Sequence, residues 1–411
     1  MNQKLTSRMM GAKKDKMFKI STENFKNNIP ILKSVDVHYF DYASTTFMPS
    51  EVMDRWVEVN SSSGVFIGRG NSKLTKKAES ELQDSEKNFY NFFNLSDDYS
   101  FIYTKNVTES INIVALGLDS YVSTSDIVLV GPYEHHSNYL PWKYLARRTG
   151  ALFCEIPVDM FGNPDYSFID RNRNRIKIVS VSHISNSFGY RMDIKKMCQM
   201  VSDKTLFFVD QSQVSVHMPI INDDKITAHF LASHKMYGPK NIAAIAMKNK
   251  CIEKLCPVLL GGGMVETIGF NDTWLEGRKK FFVGTMDIGL ISAWSEACKF
   301  ISSVSYSKIQ KINDENFKKI IDILKKYNLN RIMDGDNCSK HIISFVNASF
   351  HAHDLSDFLS DRNVIIRSGN LCSQNALRKI NAHAINRISI GIGTDSDDIE
   401  ALDKSIGEVM M

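Results

Sequence analysis

The feature that most constrains this chain is a lysine set between two apolar runs. Ile226-Thr227-Ala228-His229-Phe230-Leu231-Ala232 is β-rich and ends in small residues. Lys235 follows within a few positions, and Gly238-Pro239 forces a turn. Asn241-Ile242-Ala243-Ala244-Ile245-Ala246-Met247 then reads as a second buried strand. An ammonium group is rarely enclosed without a partner or a task. A lone lysine more often lays its stem on apolar surface and keeps its charge in water. Here a second feature argues against that arrangement. The run Thr205-Leu206-Phe207-Phe208-Val209 ends in Asp210, which puts a carboxylate at the C-terminal end of a buried strand. In open α/β sheets that edge is where ligands bind.

The rest of the chain alternates as such a sheet requires. Apolar runs predict strands over 101–104, 127–130, 176–181 and 206–209, and helical spacing predicts helices over 71–93, 111–118, 139–148 and 192–201. Val37-His38-Tyr39-Phe40 is a short strand, and Ser21-Thr22-Glu23 opens a short helical segment that Pro30 ends. After Thr285 the texture changes. Helices over 288–304 and 314–327 lead to a strand over 342–346, a helix over 354–360 and a strand over 364–366. A last helix starts at Ser396, with Asp397 and Asp398 in its first turn where the helix dipole favours them. The fold class is therefore α/β, a large doubly wound mixed sheet domain followed by a smaller α+β C-terminal domain. Residues 1–19 are expected to be a disordered basic extension and 20–36 a segment packing near the small domain. Residues 37–290 are expected to form the large domain and 291–411 the small one, which carries Cys372.

Bulk properties exclude several function classes. At 411 residues the chain exceeds one simple core. A net charge of +4 leaves no nucleic-acid footprint. No apolar run approaches the roughly 18 residues of a membrane span. Seven cysteines, with no Cys-x-x-Cys pair, fit reduced thiols in a cytoplasmic protein better than a disulfide frame or a zinc site. The N-terminal stretch lacks the apolar core of a secretory signal, while an organelle transit peptide stays open.

Other groups carry weaker signals. Gly261-Gly262-Gly263 lacks the Gly-Lys-Ser/Thr of a P-loop and reads as a turn. His135 and His136 cannot both face one metal from a regular strand, so no metal is expected there; an imidazole lying flat against an aromatic cofactor suits the position. His351 and His353 are spaced for one face of a strand, in a structural role. Asp334-Gly335-Asp336 fails the calcium-loop pattern. Asn106-Val107-Thr108-Glu109-Ser110 opens a helix after a strand and offers N–H groups and hydroxyls to an anion, although the same residues make an ordinary cap. Cys372 stands apart from the other cysteines, which sit in apolar or helical settings. It lies in the polar run Arg367-Ser368-Gly369-Asn370-Leu371-Cys372-Ser373-Gln374, near an arginine whose charge favours the thiolate. Arg387, on a predicted strand, can fork onto a carboxylate, though a lone arginine is more often structural.

An acid at a strand end and a lysine between strands are what pyridoxal phosphate (PLP) chemistry requires. The lysine condenses with the cofactor aldehyde, and the acid keeps the pyridine nitrogen protonated so that the ring can act as an electron sink. With these residues in view, the chain resembles the class V aminotransferase group of PLP enzymes, and within it the type II cysteine desulfurases, from about residue 20 to the C-terminus. Tyr39-Phe40-Asp41-Tyr42-Ala43-Ser44-Thr45-Thr46 resembles the opening strand motif. Asn106 to Asn112 resembles the phosphate-binding loop, which puts Val107 and Thr108 at the phosphate. Glu134 to Asn138, with Pro141-Trp142, resembles the segment whose first histidine, here His135, stacks on the ring. Ser182 to Asn186 resembles the strand whose asparagine contacts the ring hydroxyl and the substrate. Asp210 and Gln213 match the partners of the ring nitrogen and hydroxyl. Ser233-His234-Lys235 matches the cofactor-lysine motif, with Ser233 and His234 on the phosphate. Gly284-Thr285 matches the pair that reaches the phosphate of a neighbouring subunit. Arg367, Cys372 and Arg387 match the conserved arginine, the persulfide-forming cysteine and the carboxylate-binding arginine.

The resemblance implies a homodimeric PLP enzyme of fold-type I that converts L-cysteine to L-alanine, with selenocysteine as an alternative substrate. Lys235 would move the Cα proton, and the Cys372 thiolate would attack the substrate sulfur. The resulting persulfide would pass to an acceptor protein or a small thiol, with no nucleic acid or membrane involved. The chain departs from the family pattern at Asn370-Leu371 (usually two histidines), Gln211-Ser212 (Gly-Ala), Met286-Asp287 (Pro-Asn) and Tyr42 (Asn). These departures gather around substrate and persulfide. The alternative on the same scaffold is an aminotransferase, epimerase or cysteine/selenocysteine lyase in which Cys372 accepts no sulfur. A scaffold that keeps its cofactor only structurally is a further one.

Overall fold

The computed structural model describes residues 22–65, 67, 70–347 and 350–410; the expected N-terminal extension lies outside them. In chain order the strands of the first half are β1 (His38–Tyr39), β2 (Tyr99–Thr104), β3 (Ile127–Val130), β4 (Leu152–Glu155), β5 (Ile176–Ser182), β6 (Leu206–Asp210), β7 (Ile226–Ala232) and β8 (Ala243–Lys248). A short hairpin, β9 (Val265–Thr267) and β10 (Thr273–Trp274), follows. Then come β11 (Asn330–Arg331), β12 (Ile342–Val346), β13 (Val364–Ile365), β14 (Arg367–Gly369) and β15 (Ile385–Ser389).

One seven-stranded sheet runs β2-β8-β7-β6-β5-β3-β4. Its strands from β7 to β4 are parallel, and β8 is antiparallel to both its neighbours. Parallel strands need cover on both faces, which explains their unbroken apolar runs. Along β6, Phe208 packs with Ile111 and Val114 of helix Val107–Gly117 and with Trp142 and Leu145 of helix Leu140–Thr149, while Phe207 and Val209 join a second cluster with Ile194 and Met197 on the other face. The rings of Trp142, Phe208 and Phe230 stack in sequence, with centroids 5.2 and 6.0 Å apart. Under β2 and β8, Phe89 of helix Lys73–Phe93 meets Trp294 of helix Ile288–Val304 at 4.9 Å. Because β5 and β6 are parallel and in register at Ser182 and Asp210, their C-terminal ends share one edge of the sheet with the turn after β7.

A four-stranded antiparallel sheet, β11-β12-β15-β14, is built wholly from the later part of the chain. Its register sets Arg367 directly opposite Arg387. Like charges facing each other across strands destabilise a sheet unless a counter-ion lies between them. The N-terminal segment supplies it. β1 pairs in parallel with β13, and Asp41 bridges to Ser389.

The structure differs from the sequence reading at several points. The 3-10 helix Thr22–Asn28 stops just before Pro30 as expected, but Pro30 also opens a further helix, Pro30–Ser34, where its missing N–H and fixed φ are assets. Helix Tyr306–Lys326 starts well before residue 314, directly after a turn at Ser305 with φ +69°. His351 and His353 are not on a strand. His351 caps helix Ala352–Ser360 and His353 lies in its first turn. Cys256 is exposed rather than packed. Helix Ser50–Ser63 and the edge strand β4 were unanticipated. Among the described residues, no helix is long and apolar enough to cross a membrane.

Candidate active site

A cavity of about 560 Å³ opens at the C-terminal edge of the parallel strands. Each strand end delivers one group. Lys235 lies in the 3-10 turn Ser233–Lys235 that ends β7. Burial pulls its ammonium down to about 8, with Asp210 pulling the other way and Arg387 reinforcing the fall. Asp210, the last residue of β6, accepts the Ser212 N–H at 2.9 Å. Burial nonetheless raises its pKa, opposed by the Ser212 bonds and by Lys235. A buried acid in this state is stabilised by any cation placed before it.

His135 follows β3. Its Nδ1 accepts from the Ser137 N–H at 3.1 Å and lies 2.7 Å from the Ser137 hydroxyl, which leaves Nε2 to carry the proton. Burial, then Lys235, lowers its pKa to about 3, so the ring is neutral. The adjacent Glu134 is fully enclosed, bonded to Ser182 and to Asn138. On the opposite wall Asn106 caps helix Val107–Gly117 by accepting the Glu109 N–H at 2.9 Å. The N–H groups of Val107 and Thr108 find no acceptor among the described residues, as the first turn of a helix dictates. His234 lies nearby, its carbonyl held by Thr46 and Thr45. Burial, with Lys235 and Lys240, lowers its pKa to about 4.

The substrate side belongs to the second sheet. Arg387 is buried and pairs with Asp41 at 2.6 Å, while also donating to the Asn186 carbonyl at 2.8 Å and the Ser44 hydroxyl at 2.9 Å. Its Nε–H has no partner among the described residues. Arg367 reaches the other oxygen of Asp41 at 2.8 Å with half its side chain exposed. Two guanidiniums therefore share one carboxylate, and the cluster keeps an excess positive charge facing the cavity. Arg387 is not the open fork expected from sequence, because Asp41 and Asn186 already occupy both of its terminal nitrogens.

Cys372 sits on the cavity rim, exposed, in a loop of unusual backbone. Gly369, Leu371 and Cys372 all have positive φ, at +104°, +52° and +53°. Such conformations cost a non-glycine residue about 1–2 kcal/mol and persist only when the surroundings fix them. Here Asn370 Oδ1 accepts the Cys372 N–H at 3.0 Å, and the His136 N–H bonds to the Cys372 carbonyl at 2.7 Å. Asn186 donates to the Leu371 carbonyl at 2.8 Å and accepts from the Ser373 hydroxyl at 3.0 Å. Its amide is thus committed to the Cys372 loop, a role the sequence did not suggest.

Of the residues singled out from sequence, the structure gathers Lys235, Asp210, Gln213, His135, Asn186, Val107, Thr108, His234, Arg367, Arg387 and Cys372 on this cavity. Two stand elsewhere. Ser233 does not line it; the side chain is fully buried against Gly238, with its hydroxyl unpartnered among the described residues. Thr285 is exposed, away from this chain's own cavity. Asp41, Ser44 and His353 also belong to the site and were not anticipated as site residues. Only Asp41 left a trace, as a carboxylate just past a short strand. Gln211, one of the departures from the family pattern, bridges His183 and His229 at 3.0 and 3.1 Å inside the sheet.

Comparison with known proteins bears on the same geometry. The family model of aminotransferase class-V matches residues 38–402. The chain is similar to a cysteine desulfurase of Haloferax volcanii, 30% identical with 89% of this chain and 87% of the relative covered. It is also similar to a probable cysteine desulfurase of Pyrococcus abyssi, 29% identical over 92% of this chain and 95% of the relative. Among solved structures, an apo cysteine desulfurase of Thermococcus onnurineus NA1 superposes with a TM-score of 0.88 at 25% identity, covering 94% of this chain and 98% of that one.

Proposed function

The chain belongs to the aminotransferase class-V family, and from that premise we propose that it is a PLP-dependent cysteine desulfurase, taking L-cysteine to L-alanine and leaving a persulfide on Cys372. The observation that carries the reading is the exposed Cys372 thiol on the same cavity as Lys235, Asp210 and the arginine cluster. The residues fit the cofactor. Asp210 would meet the ring nitrogen, His135 the ring face, and His234 with the unpaired N–H groups of Val107 and Thr108 the phosphate. PLP, when bound, supplies the electron sink for bond cleavage at the substrate carbons.

The chain's own residues do the rest. Arg367, with the charge of Arg387 behind it, receives the substrate carboxylate in place of water. Lys235, with an amine that burial holds near half-protonation at about pH 8, takes the Cα proton and returns it. Asn186, Asn370 and His136 hold the loop so that Cys372 Sγ faces the substrate sulfur and can attack it. Cys372 also borders an outer groove of about 370 Å³ lined by Leu116, Leu140 and Tyr144. An acceptor protein or small thiol would take the sulfur from that side. The exposed Gly284-Thr285 segment would reach the phosphate of a second copy, making the enzyme a homodimer. Cysteines that are all unpaired suit a reducing cytoplasm.

The test is direct. Purified protein loaded with PLP and given L-cysteine should release L-alanine in step with sulfur, and sulfide only when a reducing thiol is added. A product spectrum of pyruvate and ammonia, or of a transaminated keto acid, would replace this reading with a lyase or an aminotransferase.

A further inference from the structure

Sulfur transfer to Cys372 needs a group that takes the thiol proton, and the histidines usual beside this cysteine are absent. Positions 370 and 371 are asparagine and leucine, and Asn370 Oδ1 is spent on the Cys372 N–H. The other histidines around the cavity are each disqualified. His135 and His234 are enclosed, their pKa values held near 3 and 4 by burial. His136 uses Nε2 to accept the Gln374 N–H at 3.1 Å.

One histidine remains. His353 lines the cavity from the first turn of helix Ala352–Ser360, exposed, with its ring over Gly369. A Cβ added at Gly369 would come within 3.1 Å of His353 Cε1 and 3.5 Å of Nε2, so glycine at 369 lets the ring seat against the loop. The ring is aimed by a relay. Ser368 Oγ lies 2.9 Å from His353 Nδ1, and Ser356 Oγ lies 2.8 Å from Ser368 Oγ. Ser356 in turn donates to the His353 carbonyl at 2.8 Å. With Nδ1 occupied, Nε2 has no partner among the described residues and is the nitrogen left for chemistry.

We propose that His353 is the acid–base residue that serves Cys372, supplied from a helix rather than from the cysteine loop. The step rests on the desulfurase reading and balances as follows. His353 Nε2 takes the proton of the Cys372 thiol. The thiolate pair forms the S–S bond, and the substrate C–S bond breaks with its electrons going to carbon. The substrate thiol proton stays on the terminal sulfur, and the imidazolium proton goes to the β-carbon. Carbon is reduced by two electrons, the two sulfurs together are oxidised by two, and no outside oxidant is needed. The charged or titratable neighbours are His351, with ring centroid 5.3 Å away, and Arg367 and Cys372, which line the same cavity.

The test has an arm that does not depend on turnover. Rates of Cys372 alkylation by iodoacetamide are followed by peptide mass from pH 5 to 9 in wild type, His353→Gln and Ser368→Ala, all loaded with PLP. Pairing with an imidazole makes the thiolate available at lower pH. His353→Gln should therefore slow alkylation about tenfold across the lower half of that pH range. Ser368→Ala, which only frees the ring, should lie between. With L-cysteine, His353→Gln should lose on the order of 10²-fold in kcat with KM little changed. An alkylation profile that superposes on wild type overturns the pairing. A shifted profile with wild-type alanine formation overturns the catalytic role. If wild type itself makes no alanine, the desulfurase reading fails while the alkylation arm still decides whether His353 faces Cys372.

Discussion

Asp41→Asn is the substitution that most sharply tests how the substrate side of the cavity is built. Asp41 is 4% exposed and pairs through one oxygen with Arg387, itself 2% exposed, and through the other with Arg367, whose side chain is 50% exposed. The two pairs share a carboxylate but differ in burial, so they should differ in energy. Removing one partner of a buried pair leaves an uncompensated charge and costs about 3–5 kcal/mol. An exposed pair is worth under about 1 kcal/mol. The amide of Asp41→Asn keeps an acceptor but loses the charge, which places it near the lower end, about 3 kcal/mol. Arg367→Ala should cost less than about 1 kcal/mol. Pairing Asp41→Asn with Arg387→Met should recover much of the loss, because no unpaired charge is then buried. The assay is urea and thermal unfolding by circular dichroism on variants in the same cofactor state, comparing midpoints within the set. If Asp41→Asn unfolds like wild type, if Arg367→Ala costs as much, or if the double variant is additive, the account of this cluster is wrong.

Other outcomes follow from single features of the site. Lys235 should combine with added PLP half-maximally near pH 8, since only the neutral amine reacts. Asp210 raises the Lys235 pKa, so Asp210→Asn should move that midpoint to lower pH, as read from the rise of the yellow absorbance; an unmoved midpoint would refute the coupling. Asn370→Ala should lose a hydrogen bond worth about 1 kcal/mol and slow alanine formation a few-fold at unchanged KM, with Asn370→Asp close to wild type; equal losses in both would show that acceptance of the Cys372 N–H is not the point. Gly391→Ala should destabilise by about 1–3 kcal/mol, because its Cβ would meet the Tyr42 ring at 2.5 Å. Combining it with Tyr42→Asn should relieve the clash, and a thermal midpoint no better than that of Gly391→Ala alone would count against it.

The fold was legible where apolar runs are long and bounded. The strands at 127–130 and 342–346 and the helix at 288–304 appear with the bounds read from sequence. Helix Ser50–Ser63 escaped notice because Trp56 and Val57 are exposed and blur its periodicity around buried Val52 and Val59. Strand β4 did so because it is an edge strand beginning at the exposed Leu152. In the site, residues tied to strand ends could be found, since Asp210 and Lys235 interrupt apolar runs with charge. Asp41 could not, because its role depends on β14 and β15 opposing two arginines more than three hundred residues away. His353 looked like half of a strand-spaced pair. Only the helix geometry turns it over Gly369 and toward the cavity.

The central claim is that Cys372 accepts sulfur from L-cysteine, and intact mass tests it most directly. Wild type and Cys372→Ala, both loaded with PLP, are given L-cysteine without reductant and weighed, while released alanine is measured in parallel. Wild type should gain one sulfur, removable by dithiothreitol and mapped to Cys372, with a stoichiometric burst of alanine. Cys372→Ala should gain none and release little alanine, although its spectrum still responds to L-cysteine. Equal alanine release from both proteins, or sulfur found on another cysteine in wild type, would contradict the account.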